Sequence, residues 1–244
     1  MTGSVMEAVG IAKTLGEGAG EVQALRDVNL SLAGGELALL MGPSGSGKTT
    51  LLSVLGCIMA PSTGSIRVRG HSTEGLTPEQ LAALRRDHIG FIFQSYHLFP
   101  TLTAVDNVRL ALDVRGDRSS DAYDRAVEAL ATVGLAHKVN SHPRELSGGE
   151  QQRVAIARAI VGKPAAILAD EPTAALDSRN GNAIMSVLAD IARGSENGVL
   201  VVTHDPRTVP YADRIIRIED GQIVGEERGK GDKKTARSSK KRDD

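Results

Sequence analysis

The sequence has 244 residues, 41% of them hydrophobic, which allows one large α/β domain, or one domain with an inserted subdomain, and excludes disorder over most of the length. Three Phe, three Tyr and no Trp call for an aliphatic core and exclude a base-stacking surface. A net charge of −1 argues further against a nucleic-acid binder.

Residues 22–32 alternate apolar and polar toward their end, as a half-buried strand does. Gly34-Gly35 predicts a turn, and Glu36 to Met41 a buried strand leading straight into a glycine-rich loop at 42–49. Thr49 to Leu55 reads as a helix. Cys57, the one cysteine, excludes an intrachain disulfide and lies in the apolar run 51–60, where a small buried residue is the ordinary reading and a reactive thiol the sharper one. Residues 61–64 predict a turn before a strand over 65–69. Thr77 caps a helix to about Arg86, with Pro78 in the first turn and Gln80 at the capping-box position. His88 to Phe93 reads as a buried strand. Helical periodicity then runs from Thr103 to Gly162, broken at Gly116, Gly134 and Pro143. Strands are predicted at 165–169 and 198–202, separated by a helix from Ser178 to Ala192. A hairpin, Arg214–Ile218 and Gln222–Val224, turns at Asp220-Gly221. This order predicts a parallel-sheet α/β core with a helical subdomain. No apolar run reaches the ~20 residues of a membrane helix, and Met1 to Ala8 lack the basic and apolar regions of a signal peptide. The chain is therefore expected in the cytosol, meeting a membrane only through a partner.

The loop reads Gly42-Pro43-Ser44-Gly45-Ser46-Gly47-Lys48-Thr49, followed by Thr50. Its glycines let successive backbone N–H groups turn inward around a β-phosphate. Lys48 supplies positive charge between the β- and γ-phosphates, Thr49 offers a hydroxyl to Mg²⁺, and the following helix aims its positive end at the same group. The alternative, an incidental glycine turn, does not explain why the loop joins a strand to a helix. A second element, Ala166 to Glu171, is an apolar strand ending in two carboxylates. Asp170 is placed to hold the Mg²⁺ shell, and Glu171 to accept a proton from attacking water. Two acids after a strand are also common as plain solvated ends, so their weight comes from the loop. A third, Leu146-Ser147-Gly148-Gly149-Glu150 and onward to Val154, opens a helix whose hydroxyl and free N–H groups can bind a second anion. It also suits an ordinary capped helix start. Two phosphate-binding helix ends in one chain are explained by a head-to-tail dimer, each chain's second site closing the other's first.

These segments resemble, in order and spacing over roughly 5–226, the ATP-binding subunit of an ABC transporter. The resemblance identifies 42–49 as the Walker A loop, Gln94 as the Q-loop, 146–150 as the signature, Asp170-Glu171 as Walker B, 174–177 ending at Asp177 as the D-loop, and His204 as the switch histidine. It implies a P-loop NTPase core with a mixed sheet, an N-terminal antiparallel β-subdomain and an inserted α-helical signature subdomain (about 100–160). It further implies a homodimer holding two ATP, with Glu171 as general base and His204 on the γ-phosphate. Gln94 would sense Mg²⁺ and the attacking water. Alone, Gln94 and His204 would read as surface or structural residues; the other five histidines, 71, 88, 97, 137 and 142, keep that reading.

The segments 85–108, 55–57, 169–173 and 203–206 resemble the lipoprotein-release and macrolide-export group, and 173–177 is also similar to glycolipid-exporter ATPases. That group implies a separate membrane permease touching Gln94 to Thr103, a membrane-fusion protein in the complex, and a place on the inner face of the cell membrane. Tyr96, Leu98 and Phe99 suit such an interface or core packing equally. The implied role is to energise export or membrane extraction of a lipid, lipoprotein or hydrophobic drug. A regulatory ATPase acting through a membrane partner in cell division is the alternative. A soluble DNA-repair or translation protein would usually carry two ATPase halves or long insertions. The basic tail at 227–244 reads as a disordered solvated end or as an attraction to anionic lipid.

One departure is Leu15, where the family's Lys-x-aromatic pattern places a base-stacking ring; here Lys13-Thr14-Leu15 puts an aliphatic there. Leu15→Tyr is expected to tighten nucleotide binding and sharpen the preference for ATP over GTP, as measured by equilibrium titration. Unchanged values for both would remove Leu15 from base recognition.

Overall fold

The computed structural model describes residues 3–194 and 196–229. Strands β1 (Ser4–Leu15) and β2 (Val22–Ala33) form a long antiparallel ribbon, and β3 (Leu37–Met41) runs through the glycine loop into helix α1 (Lys48–Leu55). Then come β4 (Thr63–Val68), the short β5 (His71–Ser72), α2 (Pro78–His88) and β6 (Ile89–Ile92). The predicted helical stretch resolves into α3 (Ala104–Val114), α4 (Ala122–Thr132) and α5 (Gly148–Ile160). The remaining elements are β7 (Ala166–Asp170), α6 (Ser178–Gly194), β8 (Gly198–Val202), β9 (Arg214–Glu219) and β10 (Gln222–Arg228).

The strands of continuous aliphatic sequence can only be buried on both faces. They form a mixed sheet in the order β10-β9-β3-β8-β7-β6, parallel except for the edge strand β10. Alternate residues face opposite layers. Leu37, Leu39, Ile167, Val199 and Val201 join the core under the helices, while Ala38, Leu40, Leu168, Leu200 and Val202 join a second core. That second core holds α1 and the inner face of an antiparallel sheet, β2-β1-β4-β5. The fold class is the expected one, and the phosphate loop emerges from the middle of the mixed sheet.

Strand β1 is the element that hydrophobic alternation did not predict. Its register against β2 shifts between Ser4 and Met6, Ala8 and Ile11, and beyond, and Gly10 takes a φ of +62°. A bulge sets two residues opposite one, so the buried positions Val5, Met6, Ala8 and Ile11 lose their period of two. The predicted turn at 61–64 is shortened for the same reason. Thr63 and Gly64 already belong to β4, and a Cβ on Gly64 would collide with the Gly10 carbonyl. The C-terminal hairpin also continues past the predicted Val224 to Arg228, so residues 227 and 228, expected in the disordered tail of 227–244, are strand; the part of that tail from 230 on lies outside the described residues. No described helix is long and apolar enough to cross a membrane.

The Thr77 capping box forms as the sequence indicates: the Thr77 hydroxyl accepts from the Gln80 N–H, and the Gln80 side chain from the Thr77 N–H. The cap is exposed, whereas Leu39 is fully buried in the central strand. Leu39→Ala is expected to lower unfolding free energy by about 2–5 kcal/mol, and Thr77→Ala by about 1 kcal/mol, both read by urea denaturation.

Candidate functional site

Because β3 is buried on both faces, the backbone that leaves it at Met41 has a fixed direction. Gly45 and Gly47 then take left-handed φ values of +81° and +95°. A Cβ on Gly47 would lie 2.6 Å from the Ala24 carbonyl oxygen, and one on Gly42 would collide with that of Ile218. Both positions therefore exclude every side chain, and the loop stays bare enough for N–H groups to meet an anion. The Lys48 ammonium spans the loop, donating to the carbonyls of Gly42 at 2.8 Å and Pro43 at 2.7 Å. Ser46 is buried and its hydroxyl has no protein partner.

Two adjacent carboxylates leave β7 in different directions. Asp170 ends the strand, with the Lys48 ammonium and the Thr49 hydroxyl near enough to act on its carboxyl group. Its pKa is raised, chiefly by burial and next by the neighbouring Glu171 charge; Lys48 and Thr49 act in the opposite sense. Glu171 turns through a left-handed φ of +46°, its N–H bonded to the Val202 carbonyl at 2.9 Å. That turn brings its Oε1 to 2.6 Å from Nδ1 of His204, just beyond β8. Glu171 is mostly covered (16% exposed) and His204 open (72%), so the histidine can move while the carboxylate is held.

Lys48, Glu171 and His204 line one cleft of about 800 Å³ together with Gln94 and Leu15, whereas Gly42, Pro43, Ser46 and Asp170 sit behind its lining. Ser44, Gly45, Gly47, Thr49 and Thr50 line it as well. The set suits a Mg-nucleotide: the Thr49 hydroxyl and the Asp170 carboxylate, close enough to interact, are hard oxygen donors, and the orphan Ser46 hydroxyl lies in the same loop. Ser147, Gly148, Gly149, Glu150 and Asp177 do not line the cleft. Ser147 instead caps α5 in a box with Glu150: the Ser147 N–H and hydroxyl both donate to the Glu150 carboxylate, at 2.8 and 2.7 Å. These bonds hold the Glu150 carboxyl below its ordinary pKa. Asp177 caps α6, accepting from the N–H groups of Arg179 and Asn180.

Sequence reasoning missed Arg26 and the 22–24 segment, which also line the cleft, and gave Asp220-Gly221 no role beyond a hairpin turn. That turn is a brace: the Gly221 N–H donates to the Ser46 carbonyl at 3.1 Å, and the Arg26 N–H to the Gly221 carbonyl at 2.8 Å. Its only advance signal was the Asp-Gly pair. The segment after Gln94 divides between its two readings. Phe99 is 51% exposed, Leu98 packs against the helical core, and Tyr96 is half-buried.

A family model described as ABC transporter matches residues 25–174. The macrolide export ATP-binding/permease protein MacB of Rhodopseudomonas palustris (strain HaA2) is 43% identical over 93% of this chain and 34% of its own length. The protein of the same name from Chromobacterium violaceum (strain ATCC 12472) is 46% identical over 92% of this chain and 35% of its own. The chain thus spans about a third of the length of these curated relatives. Among solved structures, a dimeric post-hydrolysis state of the ATP-binding cassette MJ0796 bound to ADP and Pi is similar at a TM-score of 0.82 and 41% identity, over 91% of this chain and 98% of that one. A second dimeric structure of the same protein, a bacterial ABC transporter cassette, gives the same values.

Folding raises the Asp170 pKa, so this group favours the folded chain at low pH and loses that advantage as pH rises through its raised value. At neutral pH the charged carboxylate is a local liability while no cation is bound. Asp170→Asn is therefore expected to raise the melting temperature at pH 7 without nucleotide or Mg²⁺, and to remove the Mg²⁺-dependent part of nucleotide binding. Calorimetry and titration with and without chelator measure the two effects.

Proposed function

The chain belongs to the ABC transporter family and is one of its ATPases; on that premise we propose that it works as one half of a head-to-tail pair, driving export through a separate permease. The observation that carries this reading is the separation of the two anion-binding helix starts. The phosphate loop opens into the cleft, while Ser147 to Glu150, capping a different helix, lie outside it. A second copy of the chain, turned head to tail, supplies its signature to this cleft and receives the same in return. The dimeric state of the MJ0796 cassette supports that arrangement.

In the proposed reaction the phosphate loop and Lys48 hold the β- and γ-phosphates. Thr49, Asp170 and Gln94 would hold Mg²⁺, which when bound neutralises phosphate charge. A water attacks the γ-phosphorus, the bond to the β,γ-bridging oxygen breaks, and ADP leaves with that oxygen. Glu171 takes the water's proton on its Oε2, since Oε1 is engaged by His204. His204 fixes the base from its open side and contacts the γ-phosphate. Asp177, capping α6 beside the signature, lies on the face offered to the partner copy.

The permease contact at Gln94 to Thr103 is assigned to a groove of about 800 Å³ that His97 and Phe99 of that segment help to line. Phe91, Phe93, Phe99 and Val114 line it, and the last two are exposed. An apolar groove of that size suits a helix of a membrane partner. The names of the MacB relatives, which join ATP-binding and permease functions, support export as the task. A place on the inner face of the cell membrane, a membrane-fusion protein in the complex, and a lipid, lipoprotein or hydrophobic drug as cargo belong to the same proposal.

Glu171→Gln keeps the shape of the side chain and removes its basicity. The variant is expected to bind ATP as the wild type does, to accumulate as a dimer in sizing experiments, and to lose hydrolysis. Full turnover in this variant would remove Glu171 from the base role, and a monomer at saturating ATP would dismiss the two-copy site.

A further inference from the structure

Arg158 is a cation that the chemistry above leaves without a task. It lies on α5 within the half-buried lining of the groove, and burial pulls its guanidinium pKa down. No carboxylate partners it among the described residues; its donors go to backbone. One guanidinium nitrogen is 2.5 Å from the His97 carbonyl oxygen and another 2.8 Å from that of Tyr96. Desolvating a charge for two carbonyls is unfavourable unless those carbonyls must be held.

The two carbonyls belong to the turn just after Gln94, and both residues have left-handed backbones, φ +58° at Tyr96 and +49° at His97. Consecutive non-glycine residues in that region persist only where the surroundings enforce them. The turn brings the Tyr96 hydroxyl against the signature: a Cβ on Gly148 would fall 2.9 Å from it, and 3.5 Å from Leu176 of the D-loop. Gly149 backs onto Asn180, whose amide donates to the Asp177 carboxylate at 2.6 Å. One guanidinium near the end of α5 therefore ties the Gln94 turn to the signature at the start of the same helix.

We infer that Arg158 is a positioning residue for hydrolysis, locking the Tyr96–His97 turn so that Gln94 of one site and the signature that completes the other shift as one body. The inference rests on the two-copy reading above. Gln94 faces its own chain's phosphates, whereas Ser147 to Gly149 face those of the partner copy. A loosened turn would leave nucleotide capture by the phosphate loop intact and spoil the later alignment of both sites.

The test uses the full chain without a permease, which removes any effect on docking in the groove. In Arg158→Ala, kcat is expected to fall about tenfold or more while the nucleotide dissociation constant stays within about twofold. Amide hydrogen exchange over residues 95–98, followed without nucleotide, should accelerate while β7 and β8 keep their protection. Arg158→Lys keeps the charge but not the fork and should fall between; should Arg158→Ala fail to fold, the lysine variant carries the same comparison. Wild-type kcat in Arg158→Ala, or parallel loss of kcat, affinity and melting temperature, would overturn the positioning role and leave the proposed function standing. Full turnover in Glu171→Gln would overturn that function, and this inference with it.

Discussion

The site depends on backbone packed too closely to admit a side chain. Gly42 lies against the Ile218 carbonyl and Gly47 against that of Ala24, while the Gly221 N–H holds the Ser46 carbonyl between them. The phosphate loop is thus braced from the antiparallel sheet on one side and the β9–β10 turn on the other. N–H groups aimed at an anion are effective only when they need not reorganise to meet it. The brace provides that stiffness, and the two buried faces of the mixed sheet keep the brace in place.

The same sheet explains why adjacent acids point to different partners. Asp170 is still a strand residue, partly buried behind Lys48 and Thr49, whereas Glu171 has left the strand through a left-handed turn to reach His204. Burying a carboxylate near another carboxylate is unfavourable until a cation arrives. The chain therefore holds a locally destabilised group where the nucleotide's metal would relieve it, a common exchange of stability for function.

The helical insert carries a second capped helix start that does not line the cleft. Ser147 and Asp177 cap helices at neighbouring corners joined through Asn180, and Tyr96 and Arg158 tie that corner to the turn after Gln94. Motion of the insert cannot then be independent of Gln94. This links the helical insert to the Gln94 side of the cleft within one chain.

The sequence by itself determined the strand–loop–helix around Lys48, the aliphatic strands at 37–41, 166–170 and 198–202, and the capped starts of α2 and α5. Each depends on local chemistry: glycine freedom, apolar runs or a side chain bonding its own backbone a turn away. It also placed Gln94, Glu171 and His204 in one site through their order along the chain. Only the tertiary structure decided β1, whose bulge at Gly10 breaks the alternation that would have announced it. The roles of Arg26, Gly221 and Arg158 were likewise invisible, because each acts through backbone groups distant in sequence. Side-chain identity carries no record of such a contact: an arginine bonding two carbonyls reads the same as one lying in water.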